Sequence, residues 1–306
     1  MIGKDYLLMN EGLSIKVRPD LGGRIDSFVD RKTGKEWVWH PPGYDATKGR
    51  TLPRGASFDE NWTGGWDEVF PSDAADPFRG RTMYDHGELW SQPWEVQESS
   101  PLGISMSMEC ESMPLTVEKT IVLEPQGTEV LIRHALRNRS AEPQAYLFKQ
   151  HPALAIEEGD ELLMPDCELE PVALGFSMIA GSPERTAFPF VKDAEGRPVR
   201  MDKMRAKASY SREFLYARYL KDGWCGVRNP ASRTELMFSF ATQDFPYVWI
   251  FSSFSGFRDH YVLILEPCTN IPFDLETAFQ QGTSGILQPH ETRAFEMKAR
   301  VQTWEL

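Results

Sequence analysis

The amino-acid sequence predicts an all-β protein built from antiparallel sheets, and three observations lead to that prediction. Apolar and polar residues alternate with a period of two in many short segments, as in LSIKVR at 13–18. The 23 glycines and 22 prolines are spread along the chain and mark turns between those segments. Convincing helices are scarce, and none separates the strand-like segments as a crossover would. We therefore expect a large sandwich or barrel with few short helices.

The strands are predicted in chain order from this alternation. The first two are expected at 13–18 and 24–29, and a third is expected to begin at 37–39. Later strands are expected at 104–108, 115–123, 129–136, 210–220, 224–228, 235–241, 247–251, 261–265 and 293–301. The lysine-aspartate-glycine turn before Trp224 predicts that the strands on either side of it form a hairpin. Short helices are expected at 202–207 and 274–281.

Length and charge restrict the class of protein. The chain has 306 residues without a fixed internal repeat, and all-β units of this size exist as one domain, so we expect a single domain over 1–306. The 33 basic and 45 acidic residues give a net charge of −12, which argues against binding to nucleic acid or to anionic lipid. No apolar run has the length of a membrane span, and the N-terminus lacks the features of a signal peptide.

The four cysteines form no CxxC pair. We therefore expect reduced thiols and a cytoplasmic location. The sequence does not indicate an oligomeric state.

One long segment, 41–93, departs from the alternation and is rich in glycine, proline, aspartate and tryptophan. Long irregular segments in compact domains are usually functional loops. Trp62, Trp66, Trp90 and Trp94 lie in it or at its end, and their broad rings suit ligands with flat apolar faces, such as sugars. The alternative is that these rings cover one end of a sandwich.

His151 stands in an otherwise apolar segment, AYLFKQHPALAI, directly before Pro152. By strand alternation it shares a face with Leu147 and Lys149. Proline favours extended backbone before it and removes a hydrogen-bond donor, so we expect His151 at the end of a strand. An imidazole held there is a candidate acid or base. The alternative is a core histidine with a satisfied hydrogen bond.

Glu266 follows the apolar run at 261–265 and precedes Pro267. That run is typical of a strand buried on both faces, so the carboxylate is expected at the end of a buried strand rather than on a plain surface. Removal from water would prepare it to act as a base or an acid. The alternative is a structural ion pair with an arginine.

His86 is followed by Gly87, which permits a positive φ or a close approach, and Arg81 lies five residues earlier. His260, beside the strand of Glu266, is a weaker candidate. No HxH, HxxxH or HExxH spacing indicates a metal site, and no GxSxG indicates a serine hydrolase. The glycine-rich stretches do not open a helix after a strand, so they do not indicate a nucleotide site.

Taken in order, these motifs resemble the aldose 1-epimerase, or galactose mutarotase-like, family along most of the chain. The resemblance is carried by SIKVRPDLGGRIDSFVDRKTGKEWVW, GGWDEVFPSD, DHGELWSQPWEV, IRHALRNRSAEPQAYLFKQHPALAI, LILEPCTNIPFDLE and GILQPHETRAFEMKARV. It implies a many-stranded antiparallel supersandwich and an isomerase that interconverts sugar anomers by acid–base chemistry, without a cofactor or metal.

The resemblance also implies roles for individual residues. Glu266 would be the base, His151 the acid, and His86 a hydrogen-bond partner of the sugar near the reacting centre. The sugar-binding residues would be Arg81, Trp66, Trp90 and Trp249.

Two other classes of function stay open. One is a non-catalytic carbohydrate-binding protein on the same scaffold, which would keep the tryptophans and tolerate loss of Glu266. The other is a lyase or glycosidase, for which Glu88 or Asp67 would be the second carboxyl beside Glu266.

Overall fold

The computed structural model of this chain describes residues 4–47 and 52–304. Within those residues it contains 22 strands, which we number in chain order. They are β1 Tyr6–Met9, β2 Leu13–Arg18, β3 Arg24–Asp30, β4 Trp66–Val69, β5 Glu95–Ser100, β6 Gly103–Glu109, β7 Leu115–Leu123, β8 Glu129–Asn138, β9 Gln144–Tyr146, β10 Lys149–Leu154, β11 Glu161–Leu163, β12 Glu168–Pro171, β13 Thr186–Ala187, β14 Phe190–Lys192, β15 Pro198–Arg200, β16 Ser211–Arg218, β17 Trp224–Asn229, β18 Thr234–Phe240, β19 Tyr247–Phe254, β20 Tyr261–Cys268, β21 Gly285–Leu287 and β22 Thr292–Thr303. The helices described are α1 Phe58–Asn61, α2 Leu275–Gln280 and a 3-10 turn at Lys207–Ser209.

Two large antiparallel sheets contain most of these strands. The ten-stranded sheet has the order β1-β2-β3-β4-β10-β20-β19-β16-β12-β13, and the eight-stranded sheet has the order β11-β17-β18-β22-β8-β7-β6-β5. Two small pairs, β14 with β15 and β9 with β21, complete the described strands. The prediction of an all-β antiparallel protein with few short helices is confirmed.

The core lies between the two large sheets. In β7, buried Leu115, Val117 and Ile121 alternate with more exposed residues, so one face of the strand points inward. Across the interface, the rings of Trp66 in β4 and Phe238 in β18 meet edge to face, with centroids 5.1 Å apart. Strands at the centre of the ten-stranded sheet are instead buried on both faces, as all residues of β10 and β20 are. One face packs on the second sheet and the other is covered by loops.

Three local predictions are wrong. The strands on either side of the lysine-aspartate-glycine turn at 221–223 do not form a hairpin, because β16 lies in the ten-stranded sheet and β17 in the eight-stranded sheet. The intervening turn carries the chain from one sheet to the other, where β16 pairs with β12 and β19, and β17 pairs with β11 and β18. Segment 37–39 contributes only an isolated bridge, between Val38 and Leu154, and 202–207 forms no helix beyond the adjoining 3-10 turn.

The expected helix at 274–281 is present as α2. Its boundary agrees with a capping mechanism, because the Asp274 carboxylate accepts a hydrogen bond from the Thr277 amide at 2.7 Å. The described part of the chain holds no helix with the length and apolar character needed to cross a bilayer. The four cysteines, all within the described residues, are buried and free.

Candidate functional site

A cavity of about 300 Å³ lies on the face of the ten-stranded sheet that points away from the second sheet. Strands β10, β20, β19 and β16 form its floor, and loops from 52–93 and from the end of β12 form part of its walls. Its polar lining residues are Asp59, Asp73, His86, Lys149, His151, His260 and Glu266. The structure therefore brings together His86, His151 and Glu266, which are far apart in the sequence.

His151 is held by a buried carboxylate on the neighbouring strand. Asp67 in β4 pairs directly with His151 in β10, so both side chains point to the same face of the sheet. The His151 Nδ1 and Asp67 Oδ1 atoms are 2.9 Å apart, and the Trp62 indole donates to the other carboxylate oxygen at 3.2 Å. Because a carboxylate only accepts, Nδ1 carries the proton in this contact. The Nε2 atom is then the one available to a ligand in the cavity.

Glu266 lies opposite His151 on the next strand. Strands β10 and β20 pair at Lys149 with Cys268 and at Ala153 with Ile264, and this register places His151 across from Glu266. The sequence predicted both residues at strand ends, whereas both lie inside strands. Prolines 152 and 267 cannot donate hydrogen bonds, and they lie in the interval between these two pairs. The strands continue because β4 and β19 pair with their other edges.

Lys149 bridges two carboxylates beside this pair. Its Nζ atom contacts Oε2 of Glu266 and lies 2.6 Å from Oδ2 of Asp73. Burial by itself would lower the pKa of Lys149, but the charges of Asp73 and Glu266 raise it above its ordinary value. Burial would likewise raise the pKa of Asp73, but the Lys149 charge lowers it. The group is therefore a fixed ammonium between two carboxylates, and Glu266 is paired with a lysine rather than with an arginine.

His86 approaches the cavity from a loop with unusual backbone geometry. Its φ is 57°, and its ring stacks on Phe58 with centroids 3.6 Å apart and planes 4° from parallel. Nδ1 lies 2.8 Å from Oδ1 of Asp85. Burial disfavours the protonated ring, but the Asp73 charge and the Asp85 hydrogen bond outweigh burial and raise the pKa of His86. The His86 and His151 rings lie 5.9 Å apart, on one side of the cavity.

The long segment at 41–93 does contribute loop walls, as its composition suggested. It supplies Phe58, Asp59, Trp62, Asp73 and His86 to the cavity, while its residues 48–51 lie outside the described part of the chain. His260 reaches the same cavity from the loop before β20, with its ring 4.8 Å from that of Trp39. Burial and the charge of Arg258 lower the pKa of His260, so it is set up as a neutral ring.

The four residues expected to bind sugar do not line this cavity. Arg81 is exposed and donates to the Ser112 carbonyl at 3.4 Å. Trp66 points into the core between the sheets and donates to Gln150. Trp90 is buried behind Phe58 and donates to the Asp85 carbonyl. Trp249 is buried beneath Lys149, whose Nζ lies 4.2 Å from the ring centroid, and it donates to the Asn270 carbonyl.

The carboxyls considered for a glycosidase have other partners. Glu88 is buried away from the cavity, where it contacts Arg54 and accepts hydrogen bonds from the amides of Glu111 and Ser112. Asp67 is engaged by His151. The second carboxyl close to Glu266 is Asp73, whose pKa is lowered by Lys149, so it is not arranged as a protonated acid.

Sequence reasoning did not select Lys149, Asp73 or Asp67 for the epimerase site. A signal for Lys149 was present, because it shares the strand face of His151 in a segment that is otherwise apolar. Asp67 and Asp73 gave no such signal, since their partners come from distant parts of the chain. Among the described residues, no cluster of three or more histidine, cysteine or acidic side chains is arranged to hold a metal ion.

The whole architecture is similar to that of several solved structures. A protein from Escherichia coli K12, provisionally assigned as an aldose 1-epimerase, superposes with a TM-score of 0.73 at 16% identity, covering 98% of this chain and 99% of that one. The chain has the galactose mutarotase-like fold. A galactose mutarotase related enzyme from Lactobacillus acidophilus shares this fold, with a TM-score of 0.70 at 14% identity over 98% of both chains. So does a galactose mutarotase-like protein from Lactobacillus casei, with a TM-score of 0.67 at 14% identity over 98% of this chain and 100% of that one.

The galactose mutarotase-like fold was implied by the motifs, and that expectation is confirmed. No protein-family model matches the sequence, and no curated protein matches it. At these identities the similarity concerns the fold, which does not by itself determine the chemistry of the site.

Proposed function

We propose that this protein is an aldose 1-epimerase, an isomerase that interconverts the anomers of a free sugar. The observation that carries the proposal is the opposition of His151 and Glu266 on neighbouring strands, at the floor of one cavity. Ring opening needs an acid and a base on one hemiacetal, each within hydrogen-bond reach. The fold, shared with mutarotase-like proteins, supports the same assignment.

In the proposed mechanism, Glu266 removes the proton from the anomeric hydroxyl while Nε2 of protonated His151 gives a proton to the ring oxygen. The bond between C1 and the ring oxygen breaks, and an open-chain aldehyde forms. Rotation about C1–C2 exposes the other face of the aldehyde. The ring hydroxyl then returns its proton to His151 as it attacks C1, and Glu266 returns its proton to the new anomeric oxygen.

The surrounding groups prepare these two residues. Asp67 holds the Nδ1 proton of His151 and stabilises the imidazolium, as the buried carboxylate does in other catalytic histidine pairs. Lys149 contacts Oε2 of Glu266, and we assign Oε1 as the oxygen that takes the proton. His86, whose pKa is raised, would donate a hydrogen bond to a sugar oxygen near the reacting centre.

The test is mutarotation of freshly dissolved sugars, followed by polarimetry or NMR, with wild type, Glu266→Gln and His151→Asn. Each substitution keeps a polar side chain but removes a proton carrier, so kcat should fall about 10²-fold or more. The double variant should lose less than the product of the two single losses, because both residues act on one transition state.

Stability distinguishes this proposal from a purely structural role for Glu266. In Glu266→Gln, Lys149 keeps its contact with Asp73, so the melting temperature should change little. Glu235→Gln is the matched control, because Glu235 is buried and paired with Arg228 at 2.7 Å in the other sheet. That control should keep full turnover. A large fall in melting temperature for Glu266→Gln with unchanged turnover would contradict the catalytic role.

Two further assays separate the alternatives. A carbohydrate-binding protein would bind sugars, seen by calorimetry, without accelerating mutarotation in any preparation. A glycosidase would release reducing ends from glycosides. We further propose a small sugar as the partner, a reaction that needs no cofactor beyond the acid and the base, and a cytoplasmic location, which the four buried free thiols support.

A further inference from the structure

One side of the cavity is apolar. Ile264 lies two residues before Glu266 on β20. Phe251 of β19 pairs with Ile264, and Phe214 of β16 pairs with Phe251, so the three side chains form a row across the sheet. Phe176 and Phe257 join this row from two loops. We call these five side chains the apolar wall. It faces the same space as the acid, the base and His86, and its five side chains offer no hydrogen-bonding group. His260 borders it, with its ring centroid 6.0 Å from that of Phe257.

The apolar wall is held in a defined shape before any ligand binds. The rings of Phe176, Phe251 and Phe257 form a triangle whose centroids are 5.7 to 5.9 Å apart. Arg212 fixes the two loops, because its guanidinium donates to the Phe176 carbonyl at 2.9 Å and to the Gly256 carbonyl at 2.6 Å. The same guanidinium lies 4.6 Å from the Phe176 ring centroid. A wall assembled in this way contributes to specificity rather than adapting to each ligand.

The charges around the cavity disfavour an anionic sugar. Among the described residues that line it, Lys149 is the one lysine, and no arginine joins it. Lys149 is already paired with Asp73 and Glu266, so these three groups carry a net negative charge. Arg258 lies near the cavity, 3.7 Å from Asp59, and that pair is neutral. A phosphate or carboxylate beside Lys149 would meet these two carboxylates and an ammonium already paired with both, while the cationic rings of His86 and His151 in the proposed mechanism face the reacting centre.

We infer that the substrate is a deoxyaldose, a sugar in which one hydroxyl is replaced by hydrogen. This inference rests on the proposed function and names its substrate class. A fully hydroxylated aldose carries oxygens around its whole edge, and a hydroxyl facing the apolar wall would lose water without gaining a partner. A deoxyaldose places its oxygen-free edge on the wall and its hemiacetal between His151 and Glu266.

The experiment compares kcat/KM for mutarotation within matched sets of sugars. The first set is D-glucose, 2-deoxy-D-glucose, 6-deoxy-D-glucose, D-glucuronate and D-glucose 6-phosphate, and the second repeats it on D-galactose. We expect at least one deoxy sugar to exceed its parent by about 10-fold or more, the discrimination that an apolar pocket achieves against a hydroxyl. The two anionic sugars should be slower than the parent.

Two variants test the wall itself. In Phe257→Ala and Phe176→Ala, the ratio of kcat/KM for the deoxy sugar to that for its parent should fall several-fold. Phe190→Ala is the matched control, because Phe190 is also half-buried but lies in β14 outside the cavity. This ratio does not depend on the fraction of active protein. Should one loop variant fail to fold, the other still decides.

The outcomes separate this inference from the proposed function. If hydroxylated parents react as fast as every deoxy sugar, the inference is overturned and the epimerase assignment stands. If no sugar undergoes mutarotation but calorimetry shows tighter binding of a deoxy sugar than of its parent, the proposed function fails and the ligand class is supported. Absence of both mutarotation and selective binding overturns both.

Discussion

At the scale of single residues, the site depends on polar groups that would be costly if they were unpaired. Asp67, His151 and Glu266 lie side by side on three adjacent strands and are each almost fully buried. A buried charge without a partner costs several kcal/mol of folding free energy, on the order of 3–5 when a pair is broken. Here each group has a partner, because Asp67 binds His151 and Lys149 binds Glu266. The acid and base are therefore positioned before a substrate arrives.

His86 gives a prediction about pH and stability. Its pKa is raised above the ordinary value of 6.5, although burial opposes protonation, because Asp73 and Asp85 favour the charged ring. A raised pKa in the folded state means that the added stability is fully present below pH 6.5 and is lost as pH rises through the raised value. His86→Asn removes the titration. The difference in melting temperature between wild type and this variant should therefore be larger at pH 6 than at pH 9.

Melting curves measured across pH 5 to 9 check this sign. In the wild type the pKa values of Asp73 and Asp85 are lowered by their partners, and in the variant Asp73 keeps its pairing with Lys149. A difference that grows as the pH rises would show that His86 is stabilised in its neutral form, contrary to the contacts seen.

At the scale of elements, a break in strand pairing and a strained loop bring the site together. Prolines 152 and 267 lie between the pairs that join β10 to β20, where His151 faces Glu266. The loop of His86 is held by two backbone bonds, from the His86 amide to the Asp73 carbonyl at 2.7 Å and from the Glu88 amide to the Phe70 carbonyl at 2.9 Å. This loop therefore couples His86 to the segment that carries Asp73.

Gly87 is the residue in that loop that tolerates least change. Its φ is 70°, and a Cβ atom there would lie 2.1 Å from the Phe70 carbonyl oxygen. We expect Gly87→Ala to lower the free energy of unfolding by more than the ~1–2 kcal/mol that left-handed backbone costs an alanine. It should also reduce kcat/KM, because His86 moves with the loop. Urea denaturation and mutarotation rates measure the two effects.

Gly80→Ala is the control for backbone strain alone. Gly80 has a φ of 78°, but no atom beyond the adjacent residues lies within 4 Å of the position that an alanine Cβ would take, so this variant carries the strain without a clash. Equal destabilisation by the two substitutions would show that the close approach to Phe70 contributes nothing.

At the scale of the whole molecule, the two sheets share one interior. One large cluster of buried apolar residues contains side chains from strands of both sheets. On this basis we propose that the chain folds as one domain over 1–306. An ion-paired group lies inside that interface. Lys119 of β7 is 2.6 Å from Glu68 of β4, and His134 of β8 is 3.1 Å from the same carboxylate oxygen. These contacts connect the eight-stranded sheet to β4, the strand that also contains Asp67.

Lys119→Met should destabilise the protein by about 3–5 kcal/mol, because it leaves Glu68 buried without its main cation. Burial would raise the pKa of Glu68, and the Lys119 charge outweighs burial and lowers it, so the carboxylate depends on that lysine. Adding Glu68→Gln to Lys119→Met should restore part of the loss. Chemical denaturation measures both variants.

Lys298→Met is the control for loss of a lysine, because its pair with Glu129 at 3.0 Å lies on the surface. It should shift the denaturation midpoint little. A Lys119→Met protein as stable as Lys298→Met would mean that the inter-sheet ion pair contributes no net stability.

The sequence by itself determined the class of fold and two of the central residues. Alternation is a local property of a strand, so 13–18 and 115–123 were predicted with the bounds that the structure shows. His151 and Glu266 were selected because a polar group in an otherwise apolar strand breaks a pattern that can be read locally. The structure places both on one cavity, and their catalytic roles stay a prediction.

Only the tertiary structure decided which face of each strand is covered and by what. Strand alternation shows that residues share a face, but not whether that face meets the second sheet, a loop or the cavity. Trp66 and Trp249 are therefore buried rather than available to a sugar, and Asp73 meets Lys149 although 76 positions in the chain numbering separate them. The physical reason is that such contacts depend on long-range strand pairing and sheet packing, which no short stretch of sequence encodes.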